Sequence, residues 1–562
     1  MVIVFVTLFD RASCGDSTTL SRPNIVVLMA DDLGYGDIGG AFGNRTIPTR
    51  NIDRIGKKGV SLTHSLAAAS VCTPSRAAFF TSRYPVRYGM TTHGRNRVFF
   101  FTASSGGLPQ EETTLPLILN RIGYNTALIG KWHLGNDQHY KGDMVHHPLT
   151  HGFNYFYGLP LGNLKDFDRK SSVVTSYFPN FYYCLSTLIV IGFTSAQILL
   201  KKERWILAIF IIFVMVIVPA LISLFIKSIP IINSVLMRNG NVIEQPIVLE
   251  GITERFVNES RVFIKKTRME GNPFFLMLSF VKVHTAHFPS KQFKGRSNHG
   301  LFGDCLMELD WAVGEILDYI QELRISEETI IYFTSDNGAH VEEVNEEGVR
   351  EGGYNGILRG GKGQGAMEGG IRVPTIISWP NHFPQNVVQV PVSLMDFFPT
   401  ILHLLEQPVP RNIDGKSILP LLTGRSNDSP HDFLFHYCGV YLHAVTYFQD
   451  TMHVWKVYFY TPKFKNDYEY KCHFICHCFG THVNHHDPPK LYNLAHDSSE
   501  THEILPNSST HHSIIHIVNQ AVDKHRSGLE HVDSQFTFIN TVWRPDLQPC
   551  CNFPFCSCRE FS

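Results

Sequence analysis

Two apolar segments joined by a short charged loop constrain the fold of this chain more than any other feature. They cover residues 181–200 and 205–226, and each is long enough to cross a bilayer as a helix. The loop between them, KKER at 201–204, is charged at every position. A pair of buried core helices is the alternative, but core helices of this length usually keep one polar face. The hydropathy therefore predicts a transmembrane helical hairpin over residues 181–226.

A hairpin returns both of its flanking segments to the same side of the membrane. Three of the four loop residues are basic, and basic loops prefer the cytoplasm. We therefore expect the segments before residue 181 and after residue 226 in the lumen of the endoplasmic reticulum or of another secretory-pathway compartment. Four glycosylation sequons fit a lumenal chain, at Asn44, Asn258, Asn427 and Asn507.

Residues 1–21 are a possible signal peptide. Residues 2–9 form a short apolar core, although no basic residue precedes them, and a buried strand is the alternative. Because some segment must translocate the chain that precedes the hairpin, the signal peptide is favoured.

The cysteines agree with an oxidising compartment. Eight of the twelve lie beyond residue 437, and an even, clustered set in a lumenal segment predicts a disulfide framework. The alternative is a metal site, since His473 and His477 stand among Cys472, Cys476 and Cys478. We interpret residues 421–562 as a smaller, cysteine-rich C-terminal subdomain.

The rest of the chain has the pattern of an α/β protein with a largely parallel sheet. Short apolar strands are predicted at 24–29, 125–129, 274–280 and 329–333, and helices at 51–58, 112–122, 252–266 and 304–322. Pro74 suits the first turn of a helix through residues 76–81, which places Cys72 at the N-terminus of that helix. After about residue 420 this rhythm fades, so we assign residues 22–420 to one catalytic domain into which the hairpin is inserted.

Polar residues follow directly on four of these predicted strands. Since the carboxyl ends of parallel strands open onto one edge of a sheet, these residues should meet there. Each one alone is as well explained as a helix cap. Four such groups together with Cys72 instead predict a functional site, and the groups are Asp31 with Asp32, Lys131 with His133, His284, and Asp336 with Asn337.

The chemistry of these residues indicates a metal and an anionic substrate. The acidic and amide side chains offer oxygen ligands only, which suits calcium or magnesium rather than zinc. The net charge of the chain is −1, so no global field favours nucleic acid and no such partner is expected. Cations beside a divalent metal form a pocket suited to an ester of a tetrahedral oxyanion. The residues therefore predict hydrolysis of a sulfate or phosphate ester. The cationic group consists of Arg76, Lys131, His133, His284 and Lys362.

The segment CTPSR at 72–76 resembles the signature of the sulfatase family, in which the cysteine is oxidised to formylglycine in the endoplasmic reticulum. Further stretches match that family in order and approximate spacing, over residues 22–560. They are ADDLGYGD at 30–37, GKWHLG at 130–135, VHTAHF at 283–288, TSDNGAH at 334–340 and GGKGQGAMEGGIRVP at 360–374. FTASSGGLP at 101–109 and the hairpin are similar to the branch of steryl-sulfatase and arylsulfatases D, E, F and H.

The resemblance implies an alkaline-phosphatase-like fold, a mixed and mostly parallel sheet flanked by helices, with a smaller C-terminal α+β subdomain. It also implies one calcium ion and a formylglycine at position 72, made by a formylglycine-generating enzyme during maturation. The implied ligands of the calcium ion are Asp31, Asp32, Asp336, Asn337 and the modified Cys72.

The resemblance further implies a mechanism. One hydroxyl of the formylglycine hydrate attacks sulfur to give a covalent sulfoenzyme, and His133 then removes the proton of the second hydroxyl so that sulfate leaves. His284 and Lys362 protonate or stabilise the leaving oxygen. Arg76 and Lys131 hold the hydrate and the sulfate charge.

The implied substrates are hydrophobic sulfate esters of sterols or aryl alcohols, with an arylsulfatase of another substrate as the alternative. A phosphatase or phosphodiesterase of the same superfamily would use serine or threonine as the nucleophile and bind two metals, against which the CTPSR segment argues. A non-enzymatic membrane protein would not need the whole set of site residues. The sequence indicates no oligomeric state.

Overall fold

The computed structural model describes residues 22–162, 181–344, 350–465, 472 and 476–560. The possible signal peptide, residues 1–21, lies outside the described residues.

An eleven-stranded mixed sheet forms the centre of the larger domain. Its spatial order is β10-β2-β9-β8-β1-β7-β3-β4-β5-β6, with β11 beside β2. In chain order the strands are β1 (Asn24–Ala30), β2 (Val60–Leu66), β3 (Asn125–Lys131), β4 (Tyr155–Leu159), β5 (Leu236–Arg238), β6 (Asn241–Glu244), β7 (Phe274–Ser279), β8 (Thr329–Ser335), β9 (Arg372–Ser378), β10 (Asn386–Val388) and β11 (Val392–Ser393).

The middle of the sheet is parallel and buried on both faces. The run β8-β1-β7-β3 contains only parallel neighbours, whereas β9 pairs antiparallel with both β8 and β2. Along β1, Ile25 and Val27 join one hydrophobic core while Val26 and Leu28 join the other. A strand covered on both faces is apolar at successive positions, which is why the run NIVVLM predicted β1.

Helices cover both faces of this sheet. The core on one face includes residues of α2, α3 and α9, and the core on the other includes residues of α1, α6 and α7. The helices up to residue 422 are α1 (Arg50–Gly56), α2 (Cys72–Thr81), α3 (Leu115–Arg121), α4 (Phe181–Lys201), α5 (Trp205–Asn233), α6 (Ile252–Glu270), α7 (Gly300–Glu322), α8 (Glu368–Ile371), α9 (Phe397–Leu404) and α10 (Leu419–Leu422).

The predicted α/β architecture is confirmed, and the differences lie at the ends of elements. The helix predicted over 112–122 begins at Leu115, because the Thr114 side chain accepts a hydrogen bond from the amide of Leu117 and caps the first turn. The helix predicted over 252–266 continues to Glu270, where Gly271 ends it with a left-handed φ of 72°.

The C-terminal part contains a four-stranded antiparallel sheet in the order β12-β13-β14-β15. Its elements are β12 (Phe433–Cys438), β13 (Tyr441–Asp450), β14 (His453–Pro462), β15 (Val483–Asn493), α11 (Ser509–Ser527) and α12 (Phe538–Thr541). Ile514, Val518 and Val522 of α11 share a hydrophobic core with side chains of this sheet. The boundary at residue 420 itself stays a prediction.

The predicted disulfide framework is confirmed. All eight cysteines beyond residue 437 form disulfides. Cys472, Cys476 and Cys478 therefore have no free thiol to bind the metal of the alternative interpretation. The pairs are Cys438–Cys478, Cys472–Cys476, Cys550–Cys556 and Cys551–Cys558.

The two apolar segments form helices α4 and α5, which pack against each other as a hairpin. A Cβ atom added at Gly192 of α4 would lie 2.3 Å from Met215 Cγ of α5, so the two helices are in close contact. By length and composition α5 is able to cross a membrane, and its most apolar window is not buried inside the protein. Insertion of the hairpin into a membrane stays a prediction.

Helix α5 is longer than the apolar pattern indicated. The prediction ended at residue 226, before Lys227, but the helix continues to Asn233. Ile232 and Asn233 are 8% and 3% exposed, so the last two residues of the helix are buried against the rest of the protein. Tertiary burial, which a hydropathy window does not detect, extends the helix.

Candidate active site

Cys72 is the first residue of α2, as the position of Pro74 predicted. Its side chain is buried, and its Sγ lies 3.6 Å from Asp31 Oδ1 and 3.9 Å from Asp32 Oδ1. Burial raises the pKa of the Cys72 thiol, with Lys131 and Lys362 opposing that rise. An unmodified thiol at this position is therefore protonated and a weak nucleophile.

The acidic residues meet because their strands are neighbours. β1 and β8 pair in parallel with Ala30 opposite Ser335, so the residues that follow each strand lie side by side. Ligand atoms of Asp31, Asp32, Asp336 and Cys72 all lie within 4.8 Å of one another. Four buried residues therefore present possible metal ligands at one point on the carboxyl edge of the sheet.

Asn337 completes this group. Its Nδ2 donates to Asp32 Oδ1 at 2.8 Å, while its Oδ1 is buried and has no hydrogen-bond partner among the described residues. A buried amide oxygen without a donor is unfavourable unless something else binds it. The three carboxylates and this oxygen are hard ligands, so the residues fit a calcium or magnesium ion.

Three cations are paired with the three carboxylates. Lys131 Nζ lies 2.7 Å from Asp31 Oδ2, Lys362 Nζ lies 2.6 Å from Asp32 Oδ2, and Arg76 Nε lies 2.8 Å from Asp336 Oδ2. The formal charges of these six side chains cancel, which permits five of them to be buried and Lys362 to be only 14% exposed. A bound divalent cation would leave an excess of positive charge for an anionic substrate.

The pKa values of the two neighbouring carboxyls follow from this pairing. Burial by itself would raise the pKa of Asp31, but Lys131, His284 and Arg76 lower it to about 2. Burial also opposes ionisation of Asp32, and Lys362 is the main group that lowers the pKa of that carboxyl below its usual value. Both side chains are thus carboxylates at neutral pH, as metal ligands must be.

His133 is held in a defined tautomer. Its Nε2 donates to the backbone oxygen of Phe99 at 3.0 Å, whereas its Nδ1 is buried without a hydrogen-bond partner among the described residues. Because a carbonyl only accepts, the proton of the neutral ring is on Nε2 and the basic lone pair is on Nδ1. Burial, together with the charge of Lys131, holds the pKa of His133 well below its usual value, so the ring is neutral.

His284 lies beside the carboxylates, with Nε2 3.6 Å from Asp32 Oδ2. Burial, followed by the charge of Lys362, lowers the pKa of His284. The backbone at two site residues is left-handed, with φ of 58° at Asp32 and 62° at His133. Such conformations are uncommon for residues other than glycine and occur often at functional sites.

The structure thus brings every predicted site residue to one edge of the sheet, and four further residues, which were not among the predicted ones, form hydrogen bonds to them. Ser75 Oγ donates to Asp336 O at 2.6 Å, and Arg76 Nη1 donates to Ser279 Oγ at the same distance. Thr73 Oγ1 donates to His133 O at 3.2 Å. Ser279 is the last residue of β7, so a polar residue at a strand end is a sequence signal that could have identified it. No such signal exists for the Phe99 carbonyl, because every residue has a backbone carbonyl.

Comparison with known proteins shows which family the chain resembles. A model of the sulfatase family matches residues 23–407, and a model of the C-terminal region of aryl-sulfatase matches residues 429–558. The chain is 45% identical over 573 residues to steryl-sulfatase of Homo sapiens, covering 100% of this chain and 97% of that relative. It is 44% identical over 559 residues to arylsulfatase H of Homo sapiens, covering 97% and 98%.

A solved structure shows the same fold. The PsFucS1 sulfatase from Pseudoalteromonas sp. superposes with a TM-score of 0.66 at 25% sequence identity, covering 90% of each chain. The resemblance found in the sequence is confirmed, since one family model spans more than half of the chain and relatives match it over nearly its whole length. The chain therefore belongs to the sulfatase family and is an enzyme that hydrolyses sulfate esters.

Proposed function

We propose that this sulfatase cleaves hydrophobic sulfate esters, steroid sulfates or aryl sulfates, with one calcium ion and with Cys72 converted to formylglycine. The observation that carries the proposal is the position of Cys72 at the start of α2, within 3.6 Å and 3.9 Å of two carboxylates at the carboxyl edge of the sheet. A buried, protonated thiol is poorly suited to attack sulfur, whereas a modified side chain at the same point is well placed to do so.

The residues that would hold the calcium ion are Asp31, Asp32, Asp336, Asn337 and the modified residue 72. When present, the calcium ion supplies positive charge to the sulfate oxygens and the formylglycine supplies the nucleophilic oxygen. The fit rests on the donor set, which contains only hard oxygen atoms once the thiol is replaced, and on the buried Asn337 Oδ1.

We assign the remaining roles from charge and protonation. Lys131 and Arg76, which are buried at this edge, bind and neutralise the sulfate group, and Lys362, whose side chain is 14% exposed beside Asp32, stabilises the leaving oxygen. His133 acts as the base through Nδ1, because its Nε2 is occupied by the Phe99 carbonyl. His284 lies at Asp32 and would carry the proton for the departing alcohol oxygen.

The surroundings of the site support an apolar alcohol portion of the substrate. Val71 precedes the nucleophile segment, and Phe100 is 38% exposed. The next residue, Phe101, contacts Phe225 of α5 with ring centroids 6.2 Å apart, so the base of the hairpin adjoins this segment. A sterol or aryl group gains about 25 cal/mol per Å² of apolar surface that it buries, which a sulfated sugar does not.

We therefore expect steroid sulfates to be the best substrates, simple aryl sulfates to act as surrogates, and sulfated hexosamines to react poorly. Rates at matched substrate concentration in detergent micelles, compared for one member of each class, measure this preference. Faster hydrolysis of the hexosamine would overturn the substrate assignment without affecting membership of the sulfatase family.

We further propose that the hairpin anchors the enzyme in a membrane of the endoplasmic reticulum or another secretory compartment, with the catalytic domain in the lumen. A tag that contains a protease cleavage site, inserted at Glu203, should then be cleaved by protease added to intact microsomes, because the 201–204 loop faces the cytoplasm. Asn258, which is exposed on α6, should carry a glycan in the same preparation.

The matched control is a tag in the exposed 424–428 loop, which should be cleaved only after the microsomes are opened with detergent. Protection of the Glu203 tag together with cleavage of the 424–428 tag would contradict the proposed orientation.

A further inference from the structure

The last residue of α5 is tied to a short segment of the catalytic domain by three hydrogen bonds. Asn233 Nδ2 donates to Phe100 O at 2.8 Å, and Asn233 Oδ1 accepts from the amide of Thr102 at 3.1 Å. The backbone oxygen of Asn233 accepts from Thr102 Oγ1 at 3.3 Å. Asn233 is 3% exposed, so these bonds are shielded from water. One asparagine thus brackets the backbone of residues 100–102.

The residue immediately before this bracket orients the proposed base. The carbonyl of Phe99 accepts the Nε2 proton of His133, and no other described residue bonds to that nitrogen. The Phe99 ring is stacked on Phe536, with centroids 4.6 Å apart and planes 12° apart, which restrains the side chain. The direction of the Phe99 carbonyl, however, is set by the course of the backbone on both sides of it.

The other side of the segment is also fixed. Arg97 Nη2 donates to Gly363 O at 2.9 Å and to Cys476 O at 3.0 Å, so the guanidinium holds the start of the segment against the loop that carries Lys362. Phe99 therefore lies between two anchors, Arg97 on one side and the Asn233 bracket on the other. Of the two, the Asn233 bracket belongs to the apolar helix α5.

We propose that Asn233 is a positioning residue of the active site, which ties the end of α5 to the carbonyl that orients His133. The proposal rests on the proposed role of His133 as the base. Only an asparagine-like side chain serves both bonds, since Phe100 O requires a donor and the Thr102 amide requires an acceptor. Aspartate lacks the donor, and leucine, which has nearly the same shape, lacks both.

The test compares Asn233→Leu, Thr102→Val and Ser234→Ala in the full-length protein in detergent micelles. Asn233→Leu removes both side-chain bonds, while Thr102→Val removes only the hydroxyl bond and keeps the amide bond. Ser234 is the matched control, because it is also 3% exposed at the end of α5, but its hydroxyl accepts from the amide of Ile247 at 3.0 Å. It makes no hydrogen bond to residues 97–102 in the described structure.

We expect Asn233→Leu to lower kcat about 10-fold or more on a small aryl sulfate with KM nearly unchanged, because a misoriented base slows the reaction after binding. Thr102→Val should lower kcat less, and Ser234→Ala should leave it unchanged. In hydrogen–deuterium exchange, the peptide over residues 97–104 should exchange faster in Asn233→Leu and not in Ser234→Ala. The exchange measurement does not depend on activity.

A normal kcat in Asn233→Leu, or an equal loss of kcat in Ser234→Ala, would overturn the proposal. So would unchanged exchange in the 97–104 peptide of Asn233→Leu. The mass of the peptide that carries residue 72 is measured in each variant, so that a loss of modification is not mistaken for a loss of positioning. Failure of the proposed function is distinct, since the wild-type protein itself would then be inactive on sulfate esters.

Discussion

Replacing Cys72 with alanine is expected to abolish sulfate ester hydrolysis while leaving the protein folded. Loss of a covalent nucleophile lowers turnover on the order of 10⁴-fold or more, because the remaining groups only bind and polarise the substrate. The Cys72 side chain is small and its sulfur is only weakly bonded, so the loss of stability should be about 1 kcal/mol. Turnover of an aryl sulfate and the thermal midpoint of unfolding, measured on the same preparation, test both parts.

Cys305 supplies the matched control for this variant. It is also a free cysteine, it is equally buried, and it lies on α7 outside the site. Cys305→Ala should keep full turnover. In the wild-type protein made through the endoplasmic reticulum, the peptide that contains residue 72 should have the mass of formylglycine. A fully active sample in which that peptide carries only the unmodified thiol would refute the mechanism.

Removing one carboxylate charge is expected to cause the second-largest loss. Asp31→Asn and Asp336→Asn keep the shape of the side chain, but the first removes the partner of buried Lys131, and the second leaves buried Arg76 with only its 3.5 Å contact to Asp31. Calcium then loses a charged ligand at a site where it must compete with that cation. We expect bound calcium to fall well below one per chain and kcat to fall by about 10²-fold or more.

Metal content by elemental analysis, together with kcat at several calcium concentrations, measures both effects. Asp310→Asn is the control, because Asp310 is also buried but accepts hydrogen bonds from the amides of Asn51 and Ile52 at the start of α1. That variant should lose stability without losing calcium per folded molecule. Stoichiometric zinc in the wild-type protein, with activity that follows zinc content, would instead support a phosphatase-like enzyme.

The amino-acid sequence predicted the parts of this protein that depend on local pattern. Continuous apolar runs predicted the buried parallel strands, and the polar residues after them predicted the site, since the carboxyl ends of neighbouring parallel strands share an edge. Pro74 predicted that Cys72 begins a helix. The even set of C-terminal cysteines predicted disulfides but not their pairing, because spacing alone permits many connectivities.

The tertiary structure alone decided which groups contact each other. No local sequence pattern predicts that Lys131 pairs with Asp31 or that Lys362 pairs with Asp32, because these partners are 100 and 330 residues apart in the chain. Nor does the sequence reveal that the Phe99 carbonyl sets the tautomer of His133, since backbone carbonyls are common to all residues. Asn233 appeared in the sequence as a polar residue beyond an apolar run. Its bracket on residues 100–102 exists only because folding brings the end of α5 against the edge of the active site.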